Sequence, residues 1–156
     1  MRAKLVFPSV LALLLSVAAC GGGSSSSTKP LPPGAKAVGP LHIYRVRLIG
    51  GKAETPPGSP QGTGAAVIAF HGSSLVCWRF AHLHGFTNAT FAHIHIGAKG
   101  KPGNIVVPLS TSPALRHRGC VPVSTTVVKA IELHPAGYYV NVHSKLYPGG
   151  AVRAQL

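Results

Sequence analysis

From Leu41 onward the chain runs in short apolar stretches, rich in β-branched and aromatic residues and set apart by clusters of glycine, proline and serine. That spacing predicts antiparallel strands packed as a sandwich or barrel. LHIYRVRLI (41–49) alternates polar and apolar positions and forms the first strand. GAAVIAF (64–70) and SLVCWRFAHLH (74–84), joined by HGSS, form a hairpin. ATFAHIHI (89–96), IVVPL (105–109), CVPV (120–123), YYVNVH (138–143) and AVRAQL (151–156) supply the remaining strands. One stretch breaks the period: TTVVKAIEL (125–133) sets Val127, Val128 and Ile131 on one helical face, with Pro135 beyond to stop it. The expectation is an all-β antiparallel sandwich with one short helix and no internal repeat.

Before Leu41 the pattern changes. Arg2 and Lys4 precede an apolar run from Leu5 to Ala19 that is too short to span a bilayer and carries Pro8, so residues 1–20 read as a signal peptide. Val17-Ala18-Ala19-Cys20 resembles the lipobox of bacterial lipoproteins, which implies cleavage before Cys20 and a diacylglycerol on its sulfur. The alternative is an ordinary secretory signal whose cysteine is incidental. GGGSSSSTKPLPPGAKAVGP (21–40) has too little apolar surface to fold and reads as a tether of about 25 Å root-mean-square length. Residues 41–156 are then one domain, held outside the cytoplasm at the membrane of a bacterial envelope.

Composition narrows the chemistry. Without Arg2 and Lys4, thirteen basic residues face only Glu54 and Glu132, a net charge of +11. Such a surface favours anionic neighbours, here an envelope surface or a protein partner; no nucleic-acid partner is expected outside the cell. Lys99 with Lys101, and Arg116-His117-Arg118, sit in glycine- or proline-flanked stretches and read as solvated loops. There is no aspartate, which rules out a Ser-His-Asp triad. A paired-carboxylate site would need both glutamates to meet by chance. Non-catalytic binding is therefore the leading reading. Cys77 and Cys120 form an even pair in an exported domain and are expected to be bridged, the alternative being two buried thiols or a metal pair.

Histidine is the exception to this chemical poverty, with nine copies. In a strand, residues i and i+2 point to one face with Cα atoms about 6.6–6.8 Å apart, so His93 and His95 can converge on one ion. Their apolar alternates Ala92, Ile94 and Ile96 suggest that the core takes the isoleucine face and leaves the histidines opposite. YYVNVH divides in the same way, with Tyr139, Asn141 and His143 on one side. If these strands are neighbours, His93, His95 and His143 form a trihistidine set suited to Cu or Zn; otherwise they make a polar strand face. His82 and His84 share the spacing and would thicken the cluster or form a second one. Carboxylates to orient the ligating rings are scarce, so Asn141, a hydroxyl or a backbone carbonyl would serve. His42, His71, His117 and His134 receive no role.

Three ordered segments carry a resemblance: AETPPGSPQGTGAA (53–66), AHIHIGAKGKPGNIVVPL (92–109) and YYVNVHSKLYPGGAVRAQL (138–156). Together they resemble the CHRD family, the domain named for its copies in chordin and also found in many microbial secreted proteins. The resemblance implies an immunoglobulin-like β-sandwich without an established catalytic reaction. The chain departs from the family pattern at Ala151, where many members carry an acidic residue that would partner Arg153, and at Ala154. A looser similarity to the Cu/Zn superoxide dismutase fold would put His93, His95 and His143 in the places of three copper ligands. The bridging histidine, zinc loop and aspartate of that fold have no counterpart.

Overall fold

The computed structural model describes residues 41–156; the expected signal peptide (1–20), the lipidation residue Cys20 and the tether (21–40) lie outside them. Eight strands and one α-helix follow in order: β1 (Leu41–Ile49), β2 (Thr63–His71), β3 (Leu75–His84), β4 (Ala89–Ile96), β5 (Ile105–Ser110), β6 (Arg118–Pro122), α1 (Thr125–Leu133), β7 (Tyr138–Ser144) and β8 (Val152–Gln155). They pair antiparallel throughout in the order β5-β4-β7-β8-β1-β2-β3-β6. The two halves of this order meet through one registered pair, Ile49 of β1 with Arg153 of β8, and the edge strands β5 and β6 come close to each other. The result is a nearly closed, barrel-like sandwich, all-β with one short helix as the residue pattern predicts.

Alternation explains which side is dry. Ala66, Ile68 and Phe70 of β2 and Val76, Trp78 and Phe80 of β3 turn inward and are buried, while the residues between them are partly or fully exposed. From the other half come Ile94, Val107, Val140, Val142 and Val152, all at 1% exposure or less. Each fully buried side chain of this size contributes about 1.5–3 kcal/mol. Helix α1 adds Val128 and Ile131 to the same core. Its first turn is closed by Ser124, whose Oγ accepts from the Val127 N–H at 3.3 Å.

The strand pairing also settles the cysteines. Cys77 and Cys120 stand directly opposite each other on β3 and β6 and are bridged. Next along β6, Gly119 lies against the Trp78 ring, where an added Cβ would come within 2.6 Å. The ring is pinned by its Nε1–H, which donates to the Arg116 carbonyl at 3.0 Å. Pairing with Trp78 and Arg79 therefore starts this strand at Arg118, two residues before the expected CVPV segment. No helix among the described residues is long and apolar enough to cross a membrane.

Candidate metal centre

Strands β4 and β7 are neighbours, with His93 opposite Asn141, Ile94 opposite Val140 and His95 opposite Tyr139. Ile94 and Val140 point into the core, so the side chains of His93, His95, Tyr139, Asn141 and His143 share the other face. One ring nitrogen from each of His93, His95 and His143 lies within 4.8 Å of the others. Nitrogens bound to one ion at about 2.0–2.1 Å stand roughly 3.4 Å apart in a tetrahedral set. Small ring rotations close that difference, so the donor set fits a single Cu or Zn ion with an open position.

The proton positions follow from the second nitrogens. His143 Nδ1–H donates to the Pro148 carbonyl at 2.8 Å, which leaves its Nε2 as a lone pair. That lone pair lies 3.1 Å from His93 Nδ1, whose N–H donates to it. His95 Nδ1–H donates to the Gly103 carbonyl at 2.9 Å, so its Nε2 also carries a lone pair. The carbonyls thus orient two of the three rings, the role that a carboxylate commonly fills around a metal. For an ion to sit between the rings, the proton on His93 Nδ1 would move to His93 Nε2, which keeps that ring neutral.

This face is not a solvated strand surface, as a polar histidine face would be. His95 and His143 are 7% and 9% exposed, and every residue of β7 is buried, whereas Ile96, assigned to the core by alternation, is 46% exposed. The reason lies in the loops. The stretch 97–104 folds over the site, its Ala98 and Lys101 carbonyls accepting from the Arg153 guanidinium at 3.3 and 3.0 Å. Gly103 fits only without a side chain, since a Cβ there would overlap the Ile96 carbonyl. Under this roof the Tyr139 ring is sandwiched between the parallel His95 ring, at 4.8 Å, and the Arg153 guanidinium, at 3.3 Å.

Burial sets the electrostatics. Desolvation is the main cause that lowers the pKa of all three histidines; for His93, with His143 and His95 adding to it, the value falls to about 4. The rings are therefore neutral at pH 7 and ready to ligate without losing a proton to water.

A carboxylate does approach the site, from a place that strand periodicity does not reach. Glu54, 3% exposed, lies between β1 and β2 in sequence and packs beside Arg153 and Asn141. Burial raises its pKa to about 7 against the pull of Arg153.

Asn141 links it to the cluster: its side-chain amide, through Oδ1, is 3.1 Å from His95 Nε2, while Asn141 Nδ2 and Glu54 Oε1 lack partners. A neutral His95 needs a donor at Nε2. Turning the amide about its axis supplies one and points Oδ1 at a protonated Glu54, which satisfies both orphaned atoms at once.

The second histidine pair is not drawn in. His82 and His84 are exposed at the end of β3, where His82 has φ +52° and breaks the alternation. Neither belongs to a group of three donors among the described residues.

An antiparallel sandwich with a roofed trio of imidazoles on the outer side of one half-sheet defines an all-β domain with a candidate metal centre. The chain belongs to the CHRD domain family, which it matches over residues 44–156. No curated protein and no solved structure matches it significantly.

Proposed function

We propose that this CHRD domain binds one copper or zinc ion through His93, His95 and His143, serving metal storage, sensing or redox protection rather than hydrolytic catalysis. The observation that supports this reading over an inert module is the pair of backbone carbonyls, Gly103 and Pro148, that accept from Nδ1 of His95 and His143 and so leave an Nε2 lone pair on each, on rings whose centroids lie 5.5 and 4.9 Å from that of His93. A purely structural polar face has no need to set two such lone pairs beside a third neutral imidazole. Three neutral rings leave the ion its full positive charge as a Lewis acid. Calorimetric titration of the metal-free protein with Cu(II) and Zn(II) is expected to show tight one-to-one binding of at least one ion. That binding should be lost in His143→Ala and His93→Gln variants whose own unfolding remains cooperative. Weak or superstoichiometric uptake in the wild type, indifferent to both changes, would return the domain to the inert-module reading.

We further propose that the domain acts outside the cytoplasm, lipid-anchored at Cys20. The support is the signal-like run, the lipobox and the tether-like composition that precede the domain. Expressed in a bacterial host, the chain should partition into detergent and lose that behaviour on Cys20→Ser. Equal partition of both forms would reject the anchor.

A further inference from the structure

The outer face of the β1-β2-β3-β6 half is built from arginine. Outward positions along β1 are Ile43, Arg45, Arg47 and Ile49, all exposed, while Leu48 is buried between them. Register carries one row across the sheet: Arg45 faces Val67, Val67 faces Arg79, and Arg79 faces Arg118. With strands about 4.8 Å apart, the row spans about 14 Å. Arg47 lies in the adjacent row, opposite Ala65, which in turn faces Ala81. Val67 in one row, and Ala65 and Ala81 in the other, stand between or beside the arginines. At its edge Lys52 and Lys99 border a groove of about 450 Å³ that Arg47 and Ile49 also line.

This arrangement carries an unrelieved repulsion. Arg79 and Arg118 are directly opposed on neighbouring strands, a placement that destabilises a sheet when the charges are alike. Neither carboxylate side chain of the protein is at hand: Glu54 is buried beside Arg153, and Glu132 sits 3.5 Å from His42 on the helix side. An external anion is what remains to offset the repulsion. Guanidinium groups pair with phosphate oxygens through two parallel hydrogen bonds, and a row of them suits an array of phosphates better than a single ion. Ile43 and Ile49, 37% and 45% exposed on the same face, add apolar contacts that a hydrated polyanion would leave unused.

We propose that this face docks on an anionic phospholipid surface, with Arg45, Arg47, Arg79 and Arg118 on the headgroup phosphates and Ile43 and Ile49 entering the interface. The proposal is independent of the metal reading. Its test uses the full chain carrying Cys20→Ser and two kinds of vesicle, phosphatidylcholine alone and with about 30% phosphatidylglycerol, each lipid class presenting about the same area. Binding to the anionic vesicles is expected to be about tenfold tighter or more, and Arg79→Glu with Arg118→Glu should remove that preference. Lys129→Glu with Lys145→Glu, an equal charge change elsewhere, should leave most of it. Equal losses in the two double variants would mean diffuse charge and overturn the proposal. Ile43→Ser with Ile49→Ser should weaken vesicle binding while leaving capture of soluble inorganic polyphosphate unchanged. Vesicle binding unaffected by that change would point to a polymeric anion and overturn it too.

Discussion

Replacing Cys77 and Cys120 together by alanine should lower the stability of the domain by about 4 kcal/mol, the loop-closure entropy of a cross-link between residues 43 apart. For a domain of this size that is a fall in melting temperature on the order of 15 °C. The bridge sits where the fold has least redundancy. Among the described residues strand β6 pairs only with β3, through five registered pairs, and Cys77–Cys120 is the central one. Release of β6 would also uncover Trp78, which Gly119 and the Arg116 carbonyl hold in place. Cys120 is exposed, so mild reductant should reach the bridge in the native state and reproduce much of the effect in the wild-type protein. Urea unfolding of the double variant within about 1 kcal/mol of wild type would show that β3 and β6 need no covalent link.

Where side-chain period alone decides, the residue pattern is a faithful guide. Ala66, Ile68 and Phe70 announce their inward face, and TTVVKAIEL is the one segment whose apolar spacing fits a turn of 3.6 residues; it is α1 over its full length. Which strands become neighbours is a different matter. Strand β4 pairs with β7 across two intervening strands and a helix, and no local property of FAHIHIG or YVNVH encodes that adjacency. His82 and His84 show the converse, since they have the spacing of His93 and His95 but a left-handed residue turns it into different geometry.

The roof over the site is hidden for a third reason. Residues 97–104 look like a solvated loop because their side chains are small or charged, and indeed Lys99 and Lys101 are exposed. Their contribution comes from carbonyl oxygens, which every residue possesses and which therefore leave no mark in composition. The burial of His95 and the orientation of its ring both descend from that backbone. Glu54 escaped assignment likewise, because its neighbours Asn141 and Arg153 are distant in the chain. The one available hint was its rarity: a carboxyl in a chain with two of them has an uncommon chance of being placed for a purpose.

That placement makes Glu54 the source of an unusual dependence on pH. In the unfolded chain its carboxyl ionises near 4.5, whereas the native state holds the proton to about 7. Between those values the unfolded state has released a proton that the native state still binds, so this group's contribution to stability falls as pH rises. The gap amounts to about 3 kcal/mol, complete above pH 7. The histidines run the other way: His93 stays neutral in the native protein down to about 4, while the unfolded ring takes up a proton below 6.5. Their contribution is full above 6.5 and lost as pH falls. In the metal-free wild type the two slopes oppose each other between 4.5 and 6.5. Glu54→Gln removes one of them and should leave a protein whose stability climbs steeply with pH. The difference in unfolding free energy, variant minus wild type, is expected to grow by about 3 kcal/mol between pH 4.5 and 8, read from urea curves under chelator. A difference that stays level would mean that Arg153 keeps Glu54 ionised in the folded state. The amide of Asn141 would then have to donate to Glu54, and its oxygen would face a His95 that must itself carry two protons. Such a ring has no lone pair for an ion, so the titration of one buried carboxyl also reports whether the histidine cluster stands ready to ligate.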